Sequence, residues 1–233
     1  MLSPTAQRAL DAFGREARWR AASAVEATFS AGGLAFRLKW RPEFRRLHIR
    51  ADVWEPRVSL RPLDRRGNVG VLEGHAVRIE SESGERVASR ADPRSEFPYG
   101  RRLLWWDALD QLYFAGYAMW NYLTLPTLFL RDDIEWTEVA EHTLEARFPS
   151  HLPTHCDVQR FHFDPATGLL REHDYTAEVF GGWARAAHVV LEHGSREALP
   201  FASKRRVTPR RGNGQPWPGP VLVWIEMHAW RLV

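Results

Sequence analysis

The chain has 233 residues, 44 % of them hydrophobic, enough to bury a sizeable core, and no shift in composition marks a linker, so one domain over 1–233 is expected. The net charge of +3 is spread over arginine pairs such as Arg45-Arg46, Arg101-Arg102 and Arg205-Arg206, which read as solvated turns; the basic stripe that nucleic acid requires is missing, so no nucleic-acid partner is expected. A single cysteine, Cys156, excludes an intrachain disulfide, and the first residues lack the basic-then-apolar pattern of a secretory signal, which points to the cytoplasm.

Ser3 is a good N-cap with Pro4 at the first helical position, and Ala6, Leu10, Phe13 and Ala17 recur at helical spacing, predicting a helix over 1–20. From Ser23 the period changes to two. Val25, Ala27 and Phe29 alternate up to Ala31-Gly32-Gly33, and Leu34, Phe36 and Leu38 return, which predicts a hairpin. Further strands are expected at Leu47–Val53, Val58–Leu60, Val69–Leu72 and Ala76–Glu80, divided by Glu55-Pro56, Gly67-Asn68 and Ser83-Gly84. Residues 91–102 hold two prolines and a glycine and cannot continue a strand.

The stretch Leu103–Leu130 is a helical insert, with no charged residue from Gln111 to Leu130. Leu109, Leu112, Tyr113, Gly116, Trp120 and Leu123 form one apolar face, while Trp106, Phe114 and Tyr117 make the opposite face aromatic. A helix apolar all round is buried all round or lies in a membrane. Its glutamine, asparagine, threonines, proline and tyrosines argue against a membrane span; membrane contact is possible but not expected. The helix should run from Trp105 to Leu123, with Pro126–Leu130 as one more turn.

A second β-half begins near Val139, with Leu144, Ala146 and Phe148 alternating, resumes at His155, turns at Asp164–Gly168 and runs back from Leu169. Strands near Ala184–Glu192, Phe201–Thr208 and Val221–Val233 complete ten or eleven. These elements predict an α+β fold: a strongly curved antiparallel sheet whose concave face is covered by the insert and the N-terminal helix.

The order of elements, with the runs YFAGYAMWNYLTLP (Tyr113–Pro126) and FHFDPATGLLREHDYTAEVFGG (Phe161–Gly182), resembles uncharacterised actinobacterial proteins of the convex half-barrel superfamily that includes the lipoprotein-sorting carriers. The resemblance implies a half-barrel whose apolar concave side, under its helices, holds acyl chains. The export signal of the carriers is missing, so their periplasmic task is not implied.

A ligand pocket is therefore expected between sheet and insert, lined by Trp105, Trp106, Tyr113, Gly116, Tyr117 and Trp120 from the insert and by Phe161, Phe163, His173 and Tyr175 from the sheet. The last four follow from pairing Phe163 with Leu169 across the turn, which sets Gln159 opposite His173 and leaves His162, an Arg160/Glu172 pair and Asp174 on the wet side with Cys156. Gly116 is expected to line the cavity. His173 is read first as a residue holding Gln159 across the strands. In an alternative reading, His173 and Tyr175 serve a cofactor-free isomerase, cyclase or hydrolase as acid/base groups. His151 and His155 have metal-ligand spacing, but Pro153 forbids the helical turn between them, and no metal or cofactor is expected. The partner expected is a lipid-like or polycyclic small molecule; a docking surface of basic turns and Trp217 ranks behind.

Overall fold

The computed structural model describes residues 2–233. Two short helices, α1 (Pro4–Ala12) and α2 (Glu16–Ala21), lead in, and Ser3 caps the first through its hydroxyl to the Ala6 N–H at 3.2 Å. The single helix expected over 1–20 is broken at Gly14 and Arg15, which have φ angles of 107° and 69°. A Cβ on Gly14 would lie 2.1 Å from the Leu199 side chain, so glycine lets the chain turn tightly against the sheet. The turn carries Trp19 into the core, where its Nε1–H donates to Phe13 O at 2.8 Å.

The strand β1 (Ala24–Gly32) is followed by a correction. Leu34, Phe36 and Leu38 do not form the return strand of a hairpin; Leu34–Leu38 is the short helix α3. Both edges of β1 are already taken by more distant strands, and Leu34 and Ala35 instead donate their N–H groups to the carbonyls of Val221 and Leu222. Next come β2 (Phe44–Asp52), β3 (Arg57–Arg61), β4 (Val69–Glu73), β5 (Ala76–Glu80) and β6 (Arg86–Arg90), each antiparallel to the one before.

The insert then crosses the sheet as α4 (Ala108–Leu123) and α5 (Leu125–Leu128). It starts three residues later than predicted because Asp107 and Asp110 form a capping box, each accepting the other's backbone N–H. Asp110, fully buried, also accepts from Arg90 (2.6 Å), Arg102 (2.8 Å) and Arg101 (2.9 Å), tying the start of α4 to the edge of the sheet. Among the described residues no helix is long and apolar enough to cross a membrane.

The second meander comprises β7 (Glu135–Ala140), β8 (Thr143–Arg147), β9 (Val158–Phe163), β10 (Leu170–Thr176), β11 (Arg185–Arg196), β12 (Leu199–Pro209) and β13 (Val223–Leu232). It returns to the middle of the sheet, where β13 pairs with β1. The result is one curved, unclosed, antiparallel sheet of thirteen strands in the order 6-5-4-3-2-1-13-12-11-10-9-8-7, with α4 running between its two edge strands. The unforeseen strands are those edges, β6 and β7. Exposed on most positions, they carry little of the alternation by which a half-buried strand is read.

Candidate functional site

A row of paired residues crosses the concave face of the second half: Leu144, Phe161, His173, His188, Val207 and Val223, one from each strand β8 to β13. The row corrects the predicted register. Phe163 pairs with Leu170 rather than Leu169, and a bulge at Arg171 then sets His173 opposite Phe161. Without the bulge, Leu170 inside would force His173 and Tyr175 outside. With it, Phe161, Phe163, His173 and Tyr175 all keep the concave side expected of them. Arg160 is outside as expected but pairs with Glu145 (2.9 Å) rather than Glu172. Cys156 is buried, not on the wet face; it accepts the Thr176 N–H at 3.2 Å, and burial pushes its thiol up to about 11.

His173 holds Gln159, the first reading of its role. Its Nε2–H donates to Gln159 Oε1 at 2.7 Å, and the amide nitrogen of Gln159 donates onward to Cys156 O. The ring stacks on Phe161 with centroids 4.1 Å apart. His155, which Pro153 separates from exposed His151, lies fully buried between Tyr122 (2.7 Å from Nε2) and Tyr117 (3.3 Å from Nδ1). Tyr122 also shares a hydrogen bond of 3.0 Å with Tyr175 and meets the His188 ring edge-on at 4.5 Å.

Burial sets the electrostatics here. It holds the imidazoles of His155, His173 and His188 well below histidine's ordinary range, helped by the positive charges of Arg94 and Arg205, and it raises the phenols of Tyr117, Tyr122 and Tyr175. All six rings are therefore neutral near pH 7. The remaining member is a cation, Arg205, 7 % exposed and lowered by burial to about 10. Its pairing with Arg206 misled the sequence reading, which took the pair for a solvated turn; both residues lie inside β12, Arg206 outward and Arg205 inward. The signal that would have found it is parity, because Arg205 is in step with Val207.

The space under the insert is asymmetric. Against the first half of the sheet α4 is pressed tight: a Cβ on Gly116 would lie 3.0 Å from Leu72 Cβ, and one on Gly70 would lie 2.7 Å from Leu112. Gly116 is thus a packing contact with β4, and the expectation that it lines a cavity is overturned. Trp106, Tyr113, Tyr117 and Trp120 are buried, and Trp120 Nε1–H donates to Asp52 O at 2.9 Å. Trp105 is 43 % exposed, outside the core, with the Arg101 guanidinium 4.7 Å above its ring. Against the second half the packing opens. An apolar groove of about 230 Å³ runs between α3, the β10–β11 connection and the ends of β12 and β13, lined by Phe114, Tyr175, Phe180, Val207 and Val223. Two separate cavities of about 30 Å³ lie further in: one shares Phe114, Tyr175 and Val207 with the groove, and the other, lined by Arg205, Phe201 and Trp230, has Tyr122 as a wall in common with the first. Of the residues predicted to line a pocket, the groove takes Tyr175 alone.

No family model and no curated protein matches the chain. Solved structures do match in fold. A LolA superfamily protein from Nitrosomonas europaea aligns with TM-score 0.54 at 10 % identity, covering 99 % of this chain and 94 % of that one. A DUF1329 family protein from Desulfovibrio piger aligns with TM-score 0.51 at 12 % identity, covering 99 % and 94 %. At such identities the likeness is one of architecture, and that architecture is the lipoprotein-sorting-carrier-like half-barrel that the sequence resemblance implied.

Proposed function

We propose that the chain binds and carries a hydrophobic small molecule, lipid-like in shape, in the groove between α3, the β10–β11 connection and the concave face of β10 to β13. The observation that carries this reading is the groove's apolar lining together with two bulky apolar side chains left in water beside it, Trp183 at 80 % and Leu38 at 60 % exposure. Exposed apolar surface rimming a concavity is where an apolar ligand gains most from leaving water. The half-barrel fold supports the reading, since its curvature turns one face of the sheet into a concavity that a ligand can enter. An acid/base role for His173 with Tyr175 gains no support here: His173 is neutral, its Nε2–H is committed to Gln159, and it does not line the groove.

The test is displacement of a polarity-sensitive naphthalene dye by long-chain amphiphiles, with and without Ala184→Trp. Ala184 lines the groove and is partly exposed, so the added indole fills the space at little cost to the core. Dye uptake by the parent protein and its loss in the variant are expected. A parent protein that neither takes up the dye nor carries a bound molecule in native mass spectrometry would refute the proposal.

A further inference from the structure

The innermost of the cavities described above is lined by a cation with nothing to balance it. Arg205 reaches the concave side from β12, and its Nη2 donates to the Tyr122 carbonyl at 3.3 Å, with the guanidinium 5.2 Å from the centre of that tyrosine's ring. Its Nε and Nη1 have no hydrogen-bond partner, and among the described residues no carboxylate pairs with it. His188, fully buried, has both ring nitrogens unpartnered as well. Strand register makes the two neighbours on one face, because His188 pairs with Val207 and Val190 with Arg205. A buried guanidinium without a counter-charge is strongly unfavourable, and so are buried donors left unbonded. Other buried polar groups under the insert have partners: His155 two tyrosines, His173 Gln159, Asp110 three arginines.

The chemistry that would complete this corner is an anion with acceptor oxygens. One formal positive charge among neutral rings calls for a single negative charge; a phosphate dianion would bring a second with no cation to meet it. The cavity at Arg205, about 30 Å³, admits about two water-sized groups, the bulk of a carboxylate's two oxygens. From Arg205 to Pro209 at the groove, β12 covers about 13 Å, and the side chain in step between them is Val207. We propose that the molecule this site takes is a medium-length aliphatic carboxylic acid bound head-inward, with its carboxylate at Arg205 and its chain running past Tyr122 and Val207 into the groove. This rests on the groove being the binding site, and it adds the class of ligand and its direction.

Isothermal titration of the full chain with laurate, dodecanol and dodecyl phosphate, each below its micelle concentration, separates the two claims. Laurate should bind about ten- to a hundredfold more tightly than dodecanol, the worth of a hydrogen bond to a charged group, and more tightly than dodecyl phosphate. In Arg205→Met, laurate affinity should fall to that of dodecanol while dodecanol binding persists. Equal binding of laurate and dodecanol by the parent protein would overturn the carboxylate site and leave the groove standing, and that comparison needs no variant to fold. Tighter binding of dodecyl phosphate than of laurate would overturn the choice of anion. Failure of all three to bind would remove the groove reading as well.

Discussion

Acid should undo this fold earlier than its carboxylates require, because three histidines are locked inside it as neutral rings. His155, His173 and His188 have folded pKa values well below that of a free imidazole. Between the folded value and about 6.5, the unfolded chain therefore binds protons that the folded chain refuses, and stability falls as pH falls through that window. From pH 7.5 to 5.5 each ring accounts for about 1.4 kcal/mol, and the three together for about 4 kcal/mol. Glu172 works the other way. Burial first, and then the adjacent Asp174 carboxylate, raise it to about 7, so the folded state holds a proton the unfolded state lacks, and stability from this source grows as pH falls from 7 towards 4.5. Discounted for its partial exposure, it offsets about 1 kcal/mol. Urea unfolding at constant ionic strength should show the native protein losing about 3 kcal/mol between pH 7.5 and 5.5, and Glu172→Gln losing about 4 kcal/mol. His188→Leu should reduce either loss by about 1.4 kcal/mol. An unfolding midpoint in Glu172→Gln that does not move between the two pH values would refute the neutral, buried histidine cluster.

Asp110→Asn removes the charge that three arginines share at the start of α4 and should cost about 3–5 kcal/mol in urea unfolding; a cost under 1 kcal/mol would mean that the cluster is solvated. Gly116→Leu should destabilise by about 1–3 kcal/mol, since the added side chain meets Leu72, whereas unchanged stability would place a cavity at that spot. Deleting Arg171 removes the bulge, so that either Leu170 or the His173 and Tyr175 pair must turn to water. The expected outcome is loss of a cooperative unfolding transition, checked by near-ultraviolet circular dichroism during thermal melting.

The sequence carried those features that depend on neighbours along the chain. Ser3-Pro4 announces α1, Pro126 ends α4, and the Asp164–Gly168 turn joins β9 to β10, all local chemistry legible from the residues themselves. The inward faces of β9 and β10 were legible too, though the register was not: the bulge at Arg171 moved the pairing of His173 by an even number of residues and so preserved its side. What could not be read was set from a distance. Leu34–Leu38 has a strand's alternation, but the strands that flank β1 are β2 and β13, and the latter lies nearly two hundred residues away. The candidate site suffered most. Which flank of α4 would be solid and which hollow depends on Gly70 and Leu72 facing it from β4, and Arg205 looked like one more surface arginine until its strand had neighbours.

The pairing of β1 with β13 has a consequence for how the protein is made. A ribosome delivers the thirteen strands in order, yet the seam at the centre of the sheet joins the first strand delivered to the last. While β7 to β12 are still emerging, β1 to β6 can fold back on one another, but β1 presents a bare edge for the whole of that interval, and insertion of β13 is the step that covers it. Non-local closure of this kind is slow, and unpaired edges recruit other chains. The window of greatest risk therefore opens early in synthesis and shuts only with the final strand, so a nascent chain stalled before Val223 is the species a chaperone would have to guard.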